Sequence, residues 1–177
     1  MEIAFLIIIL FIIGNIAYYT WSYGISPMPT LGQALKGVIE QIPPYTAGTI
    51  YELGSGWGHL VVALAKHCPQ AKIIGYEISP IPFWISALWI KLTGVHANVE
   101  RKDIFDADLS QANWVVCYLY SGAMQKLADK FHTDLPVGCR IITHTFALPG
   151  WVPIRTIQLN DLYRTKVYVY EKKAERK

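Results

Sequence analysis

Three glycines at every second position, Gly54, Gly56 and Gly58, are the residues of this chain whose type and spacing most clearly predict chemistry. They follow a short apolar run and precede a helical one, a pattern that predicts a strand, a turn lined by backbone and the start of a helix. Glycine suits such a turn because it adopts dihedrals that a Cβ forbids and lets the backbone approach a small molecule. The following helix, residues 59–66, would direct its N-terminal N–H groups at that molecule. This stretch therefore predicts a site for a nucleotide-like ligand.

The spacing of the glycines argues against a dinucleotide site. The dinucleotide fingerprint G-x-G-x-x-G would need a glycine at position 59, where the chain has His59. The chain has instead an acidic-x-Gly-x-Gly-x-Gly pattern, which resembles motif I of the class I S-adenosyl-L-methionine (SAM)-dependent methyltransferases. The residues that this resemblance implies around SAM are Glu52, Gly54, Ser55, Gly56 and Gly58.

Two further acidic positions agree with a SAM site. Glu77 ends a predicted strand, residues 72–77, about twenty residues beyond the first glycine, where a carboxylate can accept hydrogen bonds from both ribose hydroxyls. Asp103 follows a predicted strand, residues 98–102. In the resembled superfamily an acidic residue here meets the adenine amino group, and the residue beside it, Ile104, packs on the ring. Each position alone could be an ordinary turn or a solvated strand end, so it is their order and spacing together that favour a methyltransferase.

The first 23 residues predict a membrane anchor. An unbroken apolar run, residues 3–13, is followed by a segment rich in tyrosine and tryptophan, residues 16–23. About 20 residues span a hydrocarbon core of about 30 Å, and aromatic side chains are typical of its interfaces. The run lacks a preceding basic residue and a following cleavage site, which disfavours a cleaved signal peptide; a buried helix of a soluble protein is the other alternative. Because the first basic residue, Lys36, follows the span, the positive-inside tendency favours a single-pass membrane protein with its catalytic domain in the cytoplasm.

The composition limits the possible function classes. Of the 177 residues 53% are hydrophobic and 16% are charged, and this charged share lies below the usual value of about a quarter, which agrees with contact with lipid. The net charge of +3 is too small to indicate a nucleic-acid partner. The three cysteines, Cys68, Cys117 and Cys139, are widely spaced and lack a C-x-x-C pair. They predict neither a disulfide framework nor a metal site and fit a reducing compartment.

Alternating strands and helices must position these residues. We divide the chain into a transmembrane anchor (1–23), a linker with a pre-motif helix (24–48) and a SAM-binding methyltransferase domain (49–177). In the linker the prolines stiffen residues 26–30, and Thr30 could cap a helix over residues 31–41. The further elements predicted by periodicity are helices 82–92 and 124–131 and strands 114–118, 140–145, 155–159 and 166–170. The alternation predicts an α/β fold, a Rossmann-like and mostly parallel sheet with a terminal antiparallel hairpin, preceded by one transmembrane helix.

The predicted helix 82–92 is apolar on more of its surface than one buried face needs. Only Ser86 and Lys91 are polar after its first proline. Either the helix is well buried, or it contacts a membrane or another protein, for which its tryptophans are suited.

The acceptor of the methyl group should lie beyond the carboxyl end of the fourth strand, because ligands of open parallel sheets bind at that edge. Tyr118 and Tyr120 are the candidates for an uncharged catalytic pocket there. A lysine acceptor must first lose a proton, and such a pocket promotes this by lowering the pKa of the amine. His144, at the end of the fifth strand, is either a base or a structural histidine. The Asn-Pro-Pro-Tyr signature of many amide and adenine methyltransferases is absent, which disfavours those acceptors.

Several motifs beyond the glycines narrow the resemblance. Pro27-x-Pro29-Thr30 follows the predicted anchor, and Leu-Pro-x-Gly-Cys-Arg-Ile-Ile (135–142) precedes Phe-Ala-Leu-Pro-Gly-Trp-x-Pro (146–153). Together they resemble the membrane-anchored lysine methyltransferases that modify the c-type subunit of ATP synthase and the adenine nucleotide translocase, with their prokaryotic relatives. The resemblance implies a protein-lysine N-methyltransferase with a membrane-embedded protein substrate, such as an ATP synthase c-type subunit.

Two departures from the family pattern affect what the resemblance implies. Trp57 stands where the family has an acidic residue, and Tyr118-Leu-Tyr-Ser stands at the fourth strand end where the family often has a Leu-Pro-type turn. The first change should spare SAM binding, because motif I acts through backbone, whereas the second bears on acceptor identity. The alternatives are a methyltransferase of a lipid or membrane-soluble small molecule and a catalytically silent SAM-binding module.

Overall fold

The computed structural model describes residues 1–23 and 28–174, except the side chains of Ile8 and Tyr23. Residues 24–27, which include the start of the predicted linker, and the tail 175–177 lie outside the described part. The helices are α1 (Glu2–Tyr23), α2 (Gly32–Ile39), α3 (His59–His67), α4 (Pro80–Thr93) and α5 (Ser121–Asp134), with a 3-10 turn at Ile104–Asp106. The strands are β1 (Gly48–Leu53), β2 (Ala71–Tyr76), β3 (Ala97–Glu100), β4 (Ala112–Cys117), β5 (Arg140–His144), β6 (Arg155–Gln158) and β7 (Lys166–Glu171).

The strands form one seven-stranded sheet in the order β3-β2-β1-β4-β5-β7-β6. The five strands from β3 to β5 are parallel to their neighbours, whereas β7 runs antiparallel to both β5 and β6. The prediction of a mostly parallel sheet with a terminal antiparallel hairpin is therefore confirmed. The chain order reverses between β1 and β4, which opens a crevice at the carboxyl ends of these strands.

Two apolar layers hold the sheet, one on each face. On one face Leu127 and Phe131 of α5 pack over Val115, and all three side chains are fully buried. On the other face Leu60 and Leu64 of α3 are buried in the layer formed with α2 and α4. Burial of each such side chain contributes about 1.5–3 kcal/mol relative to exposure.

The boundaries of three elements differ from the predictions in ways that matter for the site. Helix α2 begins at Gly32 with Leu31 at its N-cap, and Thr30 does not cap it because the Thr30 hydroxyl pairs with His144 instead. Strand β2 ends at Tyr76, so Glu77 is the first residue of the following loop. Strand β3 ends two residues before position 102, so Asp103 lies in a loop rather than at the strand end.

Helix α1 is 22 residues long, which corresponds to about 33 Å at 1.5 Å per residue. Its residues 2–22 are long and apolar enough to cross a membrane by length and composition, and none of this segment is buried against the rest of the chain. It touches the domain at α4, and the Tyr19 hydroxyl accepts a hydrogen bond from Arg101 Nη2 at 3.1 Å.

Helix α4 buries only a narrow stripe of its surface, formed by Pro82, Ser86 and Ile90. The interpretation that this helix is simply well buried within the chain is wrong. The large apolar side chains that it leaves exposed are Trp84, Ile85, Leu88 and Leu92.

Candidate cofactor and acceptor sites

A cavity lies at the carboxyl edge of the sheet, where β1, β2, β3 and β4 end. It is lined by residues 54–57 of the glycine turn after β1 but not by Gly58, by residues 77–79 after β2, residues 103–105 after β3, Tyr118 after β4, and residues 28–30. Its empty volume, with the open solvent at its mouth included, is about 880 Å³. The structure thus brings Glu52, Glu77, Asp103 and Ile104 to one cavity, as the sequence predicts.

The three motif glycines adopt left-handed backbone but are required for different reasons. Their φ angles are +79° at Gly54, +50° at Gly56 and +83° at Gly58. A Cβ on Gly54 would lie 2.8 Å from a methyl carbon of Leu119, and one on Gly58 would lie 2.7 Å from Cβ of Ser86. At Gly56 such a Cβ would have no described atom within 4 Å. Two of the glycines therefore allow close packing inside the protein, and Gly56 keeps the turn open.

Most N–H groups of this turn donate hydrogen bonds within the protein. Those of Gly54 and Ser55 both donate to the carbonyl oxygen of Tyr76, at 2.9 Å each. The N–H of Gly58 donates to the carbonyl oxygen of Ser55, and that of Gly56 donates to Oε2 of Glu77 at 2.8 Å. The turn is thereby fastened to the end of β2, and its shape is fixed without a ligand.

Glu77 connects the glycine turn to the loop after β2. Its Oε2 accepts from Gly56 and its Oε1 accepts from the N–H of Ser79 at 2.7 Å, and the side chain is buried. Each carboxylate oxygen has two lone pairs, so both oxygens can still accept from a ligand hydroxyl. Glu77 therefore suits the predicted ribose contact and also has a structural role that the sequence did not indicate.

Glu52 lies buried in the cavity wall with an unsatisfied carboxylate oxygen. Its Oε2 has no hydrogen-bond partner among the described residues. Burial and the nearby Glu77 carboxylate raise the pKa of Glu52 well above its usual range, although the N–H of Val61 opposes this. The Ser55 hydroxyl and Nδ1 of His59, on the same lining, also lack described partners. A ligand that carries positive charge and hydrogen-bond donors would satisfy these atoms, and SAM, with its ammonium and sulfonium groups, fits that requirement.

Asp103 shapes the part of the cavity wall that follows β3. Its Oδ1 accepts from the N–H of Phe105 at 3.0 Å and so caps the 3-10 turn that follows β3. The cap places Ile104, which is buried, and Phe105 in the lining beside the carboxylate. Phe105 is an aromatic wall residue that sequence reasoning missed, because nothing in its spacing distinguishes it from a surface residue.

Tyr118 separates the cavity from a second, open groove. This groove is lined by residues 28–31, 33 and 34, by Tyr118, by the end of β5 and by residues 161–166. Tyr118 and residues 28–30 belong to both linings. Tyr120 is different, because it sits at the start of α5 with its ring over Gly122 and is absent from the described linings of both spaces. The structure therefore brings Tyr118 to the predicted acceptor side and does not bring Tyr120 there.

His144 lies in the groove wall, almost completely buried. Its ring stacks on Tyr118 with the centroids 4.1 Å apart, and its Nε2 and Nδ1 lie 3.1 Å from the Thr30 hydroxyl and 3.2 Å from the Thr145 hydroxyl. Burial lowers the pKa of His144 to about 4. At neutral pH the ring is uncharged with both nitrogens engaged, so the geometry favours the structural interpretation over a base.

The motif at 148–151 lies away from both spaces. The Leu148 N–H donates to the Tyr170 hydroxyl at 2.9 Å, and the Trp151 indole donates to the carbonyl oxygen of Ala128 at 3.3 Å. Trp151 also contacts the rings of Phe131 and His132 on α5. These contacts fasten the β5–β6 connection to α5, so the motif supports the fold behind the site.

Comparison with known proteins identifies similar sequences and folds. A family model described as the ANTKMT methyltransferase domain matches residues 52–155. The adenine nucleotide translocase lysine N-methyltransferase of Mus musculus is 34% identical over 112 residues, which cover 62% of this chain and 48% of that protein. A protein-lysine N-methyltransferase of Saccharolobus islandicus is 26% identical over 136 residues, covering 76% of this chain and 84% of that protein.

Two further similar proteins are named for other methyl acceptors, an ATP synthase subunit and RNA. A Xenopus laevis enzyme, the lysine N-methyltransferase of the ATP synthase c-type subunit, is 31% identical over 128 residues, covering 71% of this chain and 55% of that protein. The chain thus spans about half the length of the mouse and frog relatives. Among solved structures, an RNA methyltransferase of Salinibacter ruber in complex with S-adenosyl-L-homocysteine superposes with a TM-score of 0.75 at 28% identity, covering 85% of this chain and 97% of that one.

Proposed function

The chain belongs to the ANTKMT methyltransferase family, a family of SAM-dependent enzymes, and from that premise we propose that it is a membrane-anchored protein-lysine N-methyltransferase. The observation that carries this proposal is the position of Tyr118 between the carboxylate-lined cavity and the open groove. An acceptor in the groove reaches the cofactor cavity past an uncharged side chain. The relatives that are named as lysine methyltransferases support this acceptor class.

Each side of the site has its own role in methyl transfer. When bound, SAM supplies an electrophilic methyl group. Glu77 and Asp103 would hold the nucleoside part of SAM. The buried carboxylate of Glu52 would balance the positive charge of SAM. Tyr118 orients the acceptor amine and excludes water, which promotes an in-line approach. The amine nitrogen forms the new bond to the methyl carbon as the bond to sulfur breaks, the bonding electron pair stays on sulfur, and the displaced proton passes to water.

The acceptor amine must be neutral before it reacts, and the groove favours that form. A protonated lysine has a pKa of about 10.4, and a partly desolvated site whose described lining has more cations than carboxylates lowers this value. His144 cannot retain the proton at neutral pH, because burial lowers its pKa to about 4. Loss of the proton to water, before or after the amine enters, is consistent with these surroundings.

Membrane anchoring by α1 is part of the proposal. The helix is long enough to span a bilayer, and its contact with α4 and Arg101 places the domain beside the end of the helix. In this proposal residues 1–23 are a single-pass anchor, 24–48 a linker and pre-motif helix, and 49–177 a cytoplasmic catalytic domain. Enzymes named for an ATP synthase component and for the adenine nucleotide translocase are similar to this chain, so we take the substrate to be a membrane-embedded protein such as a c-type subunit.

The direct test is incubation of the full-length chain with SAM tritiated in its methyl group and membranes from cells that lack the gene. Label that stays with protein and is recovered as methyl-lysine after hydrolysis supports the proposal. Label in the organic extract would establish the lipid or small-molecule alternative, label in RNA would contradict the acceptor class, and no label would favour a silent SAM-binding module. Glu77→Ala is the matched control, since at a SAM concentration near the wild-type Kd it should strongly reduce the label without altering α1.

A further inference from the structure

One buried hydrogen bond joins the segment after the proposed anchor to the end of β5. The hydroxyl of Thr30 and Nε2 of His144 lie 3.1 Å apart although 114 residues separate them in the chain. Both residues are buried, with exposed fractions of 9% and 4%. Buried polar groups are expensive to leave unpaired, so this pair fixes where residues 28–30 lie. A helix cap, which the sequence predicted for Thr30, would have left the segment free of the sheet.

The His144 ring, which pairs with Thr30, also contacts Tyr118. It stacks on the Tyr118 ring at 4.1 Å with the planes 22° apart. On its other side Nδ1 of His144 meets the hydroxyl of Thr145, a β-branched residue held at φ +68°. Such a residue avoids left-handed backbone, and here the Thr145 N–H is bound by the carbonyl oxygen of Lys166 at 2.8 Å. Strain of this kind persists where the surroundings require it, and here it orients the imidazole between Thr30 and Tyr118.

The charges in the groove differ from those in the cofactor cavity. Among the described lining residues the groove has one carboxylate, Asp161, whose Oδ1 already accepts from the N–H of Thr165 at 2.7 Å. It also has two cations, Arg164 and Lys166. A protonated lysine therefore finds repulsion in the groove, and the neutral amine is favoured.

The groove also lies close to the end of the proposed anchor. Four residues separate Tyr23 from Met28, so Met28 can lie at most about 18 Å from the end of α1. The loop at the rim carries Leu162 and Tyr163 with 90% and 86% of their surface exposed. An apolar and aromatic rim at this distance matches the interfacial end of a transmembrane helix better than it matches a charged soluble peptide.

We propose, on the basis of the proposed function, that this groove receives the lysine-bearing end of a transmembrane helix and that Thr30 and His144 are positioning residues for Tyr118. The segment 28–30, which Thr30 fastens to His144, and Tyr118 border the passage by which the lysine side chain reaches the cofactor cavity. The anchor linker is thereby part of the acceptor site as well as a tether.

The test compares Thr30→Ala with Thr30→Ser in the full-length chain. We measure S-adenosylhomocysteine affinity by calorimetry and initial rates of label transfer against the concentration of gene-deleted membranes. For Thr30→Ala we expect an at least fivefold higher apparent KM for the membrane acceptor, an affinity for S-adenosylhomocysteine within about threefold of wild type, and recovery of the acceptor KM in Thr30→Ser. Unchanged acceptor kinetics in Thr30→Ala, or a parallel loss of S-adenosylhomocysteine affinity that Thr30→Ser does not restore, would overturn the positioning role.

A second measurement tests the groove independently of Thr30. A photo-crosslinking amino acid at Leu162 should form an adduct with the same membrane protein that accepts the methyl label, whereas one at Val137, which is also exposed but precedes β5, should not. Adducts from both positions, or from neither, would overturn the groove as the docking site. If the label enters lipid, the proposed function fails while the Thr30 comparison still decides whether this segment positions the acceptor; a wild-type chain that labels nothing overturns both.

Discussion

The cofactor cavity and the acceptor groove share a wall but are built in opposite ways. Apart from residues 28–30 and Tyr118, which the cavity shares with the groove, the residues of the cavity lie at or just after the ends of β1, β2 and β3, so the preceding strand places them. The groove combines segments around positions 30, 144 and 163, which meet only in the folded chain. A cofactor site of this kind is therefore encoded locally, whereas the acceptor site depends on how distant parts of the chain are fastened together.

The cofactor cavity and the acceptor groove differ in charge, and each has the charge that suits its proposed ligand. The cavity carries three carboxylates, Glu52, Glu77 and Asp103, and suits a cationic cofactor. The described part of the groove has a single carboxylate against two cations and suits a neutral amine. Changes on the cavity side should therefore act on SAM affinity, and changes on the groove side should act on the acceptor or on the conformation around Tyr118.

The largest effect is expected for Glu77→Ala. The change removes the acceptor of the Gly56 and Ser79 N–H groups together with the proposed ribose contact, so SAM affinity should fall by about 1.5–3 kcal/mol, or roughly 10- to 150-fold. Calorimetry with the full-length chain measures it. Asp108→Ala is the matched control, because Asp108 also accepts from a backbone N–H, that of Ser110, but lies outside the cavity lining. Equal affinities for SAM in the two variants would contradict the role of Glu77.

The buried His144 should make stability depend on pH. Its pKa is about 4 in the folded chain and about 6.5 when unfolded, so between these values the unfolded state binds the extra proton and stability falls as the pH falls. The free energy of unfolding of the wild type should therefore decrease by about 1.5 kcal/mol more than that of His144→Asn between pH 6.5 and pH 5. Denaturant unfolding of both proteins in the same detergent measures the difference. The same decrease in both would show that His144 is not a buried neutral group.

How much of this architecture could be predicted depends on the range of the contacts. The order of strands and helices follows from local patterns, and the placing of Glu77 and Asp103 follows from their spacing along the chain. The partner of Thr30 could not be predicted, because a helix cap and a contact 114 residues away use the same hydroxyl and only tertiary packing decides between them. For the same reason the local pattern does not show that Tyr76 and Glu77 accept hydrogen bonds from the N–H groups of the glycine turn. The exposed face of α4 could not be predicted either, since an apolar helix has the same sequence pattern whether it is buried or not.

Gly56→Ala should weaken SAM binding about tenfold. A Cβ at this position meets no described protein atom, so it projects into the space left for the ligand, and the φ of +50° is also unfavourable for alanine. Gly150→Ala is the matched control, because Gly150 has φ +75° and equally open space but lies outside the cavity lining. Both variants should lose similar stability, and only Gly56→Ala should lose affinity for SAM. A loss of affinity in both would mean that backbone strain, rather than the ligand, requires glycine at position 56.

The smallest effect is expected for Glu52→Gln, which should make the protein without cofactor more stable. Glutamine removes a buried carboxylate whose pKa is raised by desolvation, so the free energy of unfolding at pH 7 should rise by about 1 kcal/mol while SAM affinity falls. Because a raised carboxyl pKa means that stability is lost as the pH rises through the folded value, the gain should disappear below about pH 4.5. Glu40→Gln, at an exposed ion pair with Lys36, should change stability by less than about 0.5 kcal/mol. If Glu52→Gln binds SAM as tightly as wild type, the carboxylate does not face the cofactor.

The most direct test of the account is mass spectrometry of membranes from cells with the gene, without it, and with the Glu77→Ala variant in its place. We predict that one lysine of a membrane-embedded protein carries methyl groups in the first cells, loses them in the second, and does not regain them in the third. An unchanged set of methyl-lysines, together with a lipid or quinone that lacks one methyl group in the gene-deleted cells, would contradict the assignment of lysine as the acceptor.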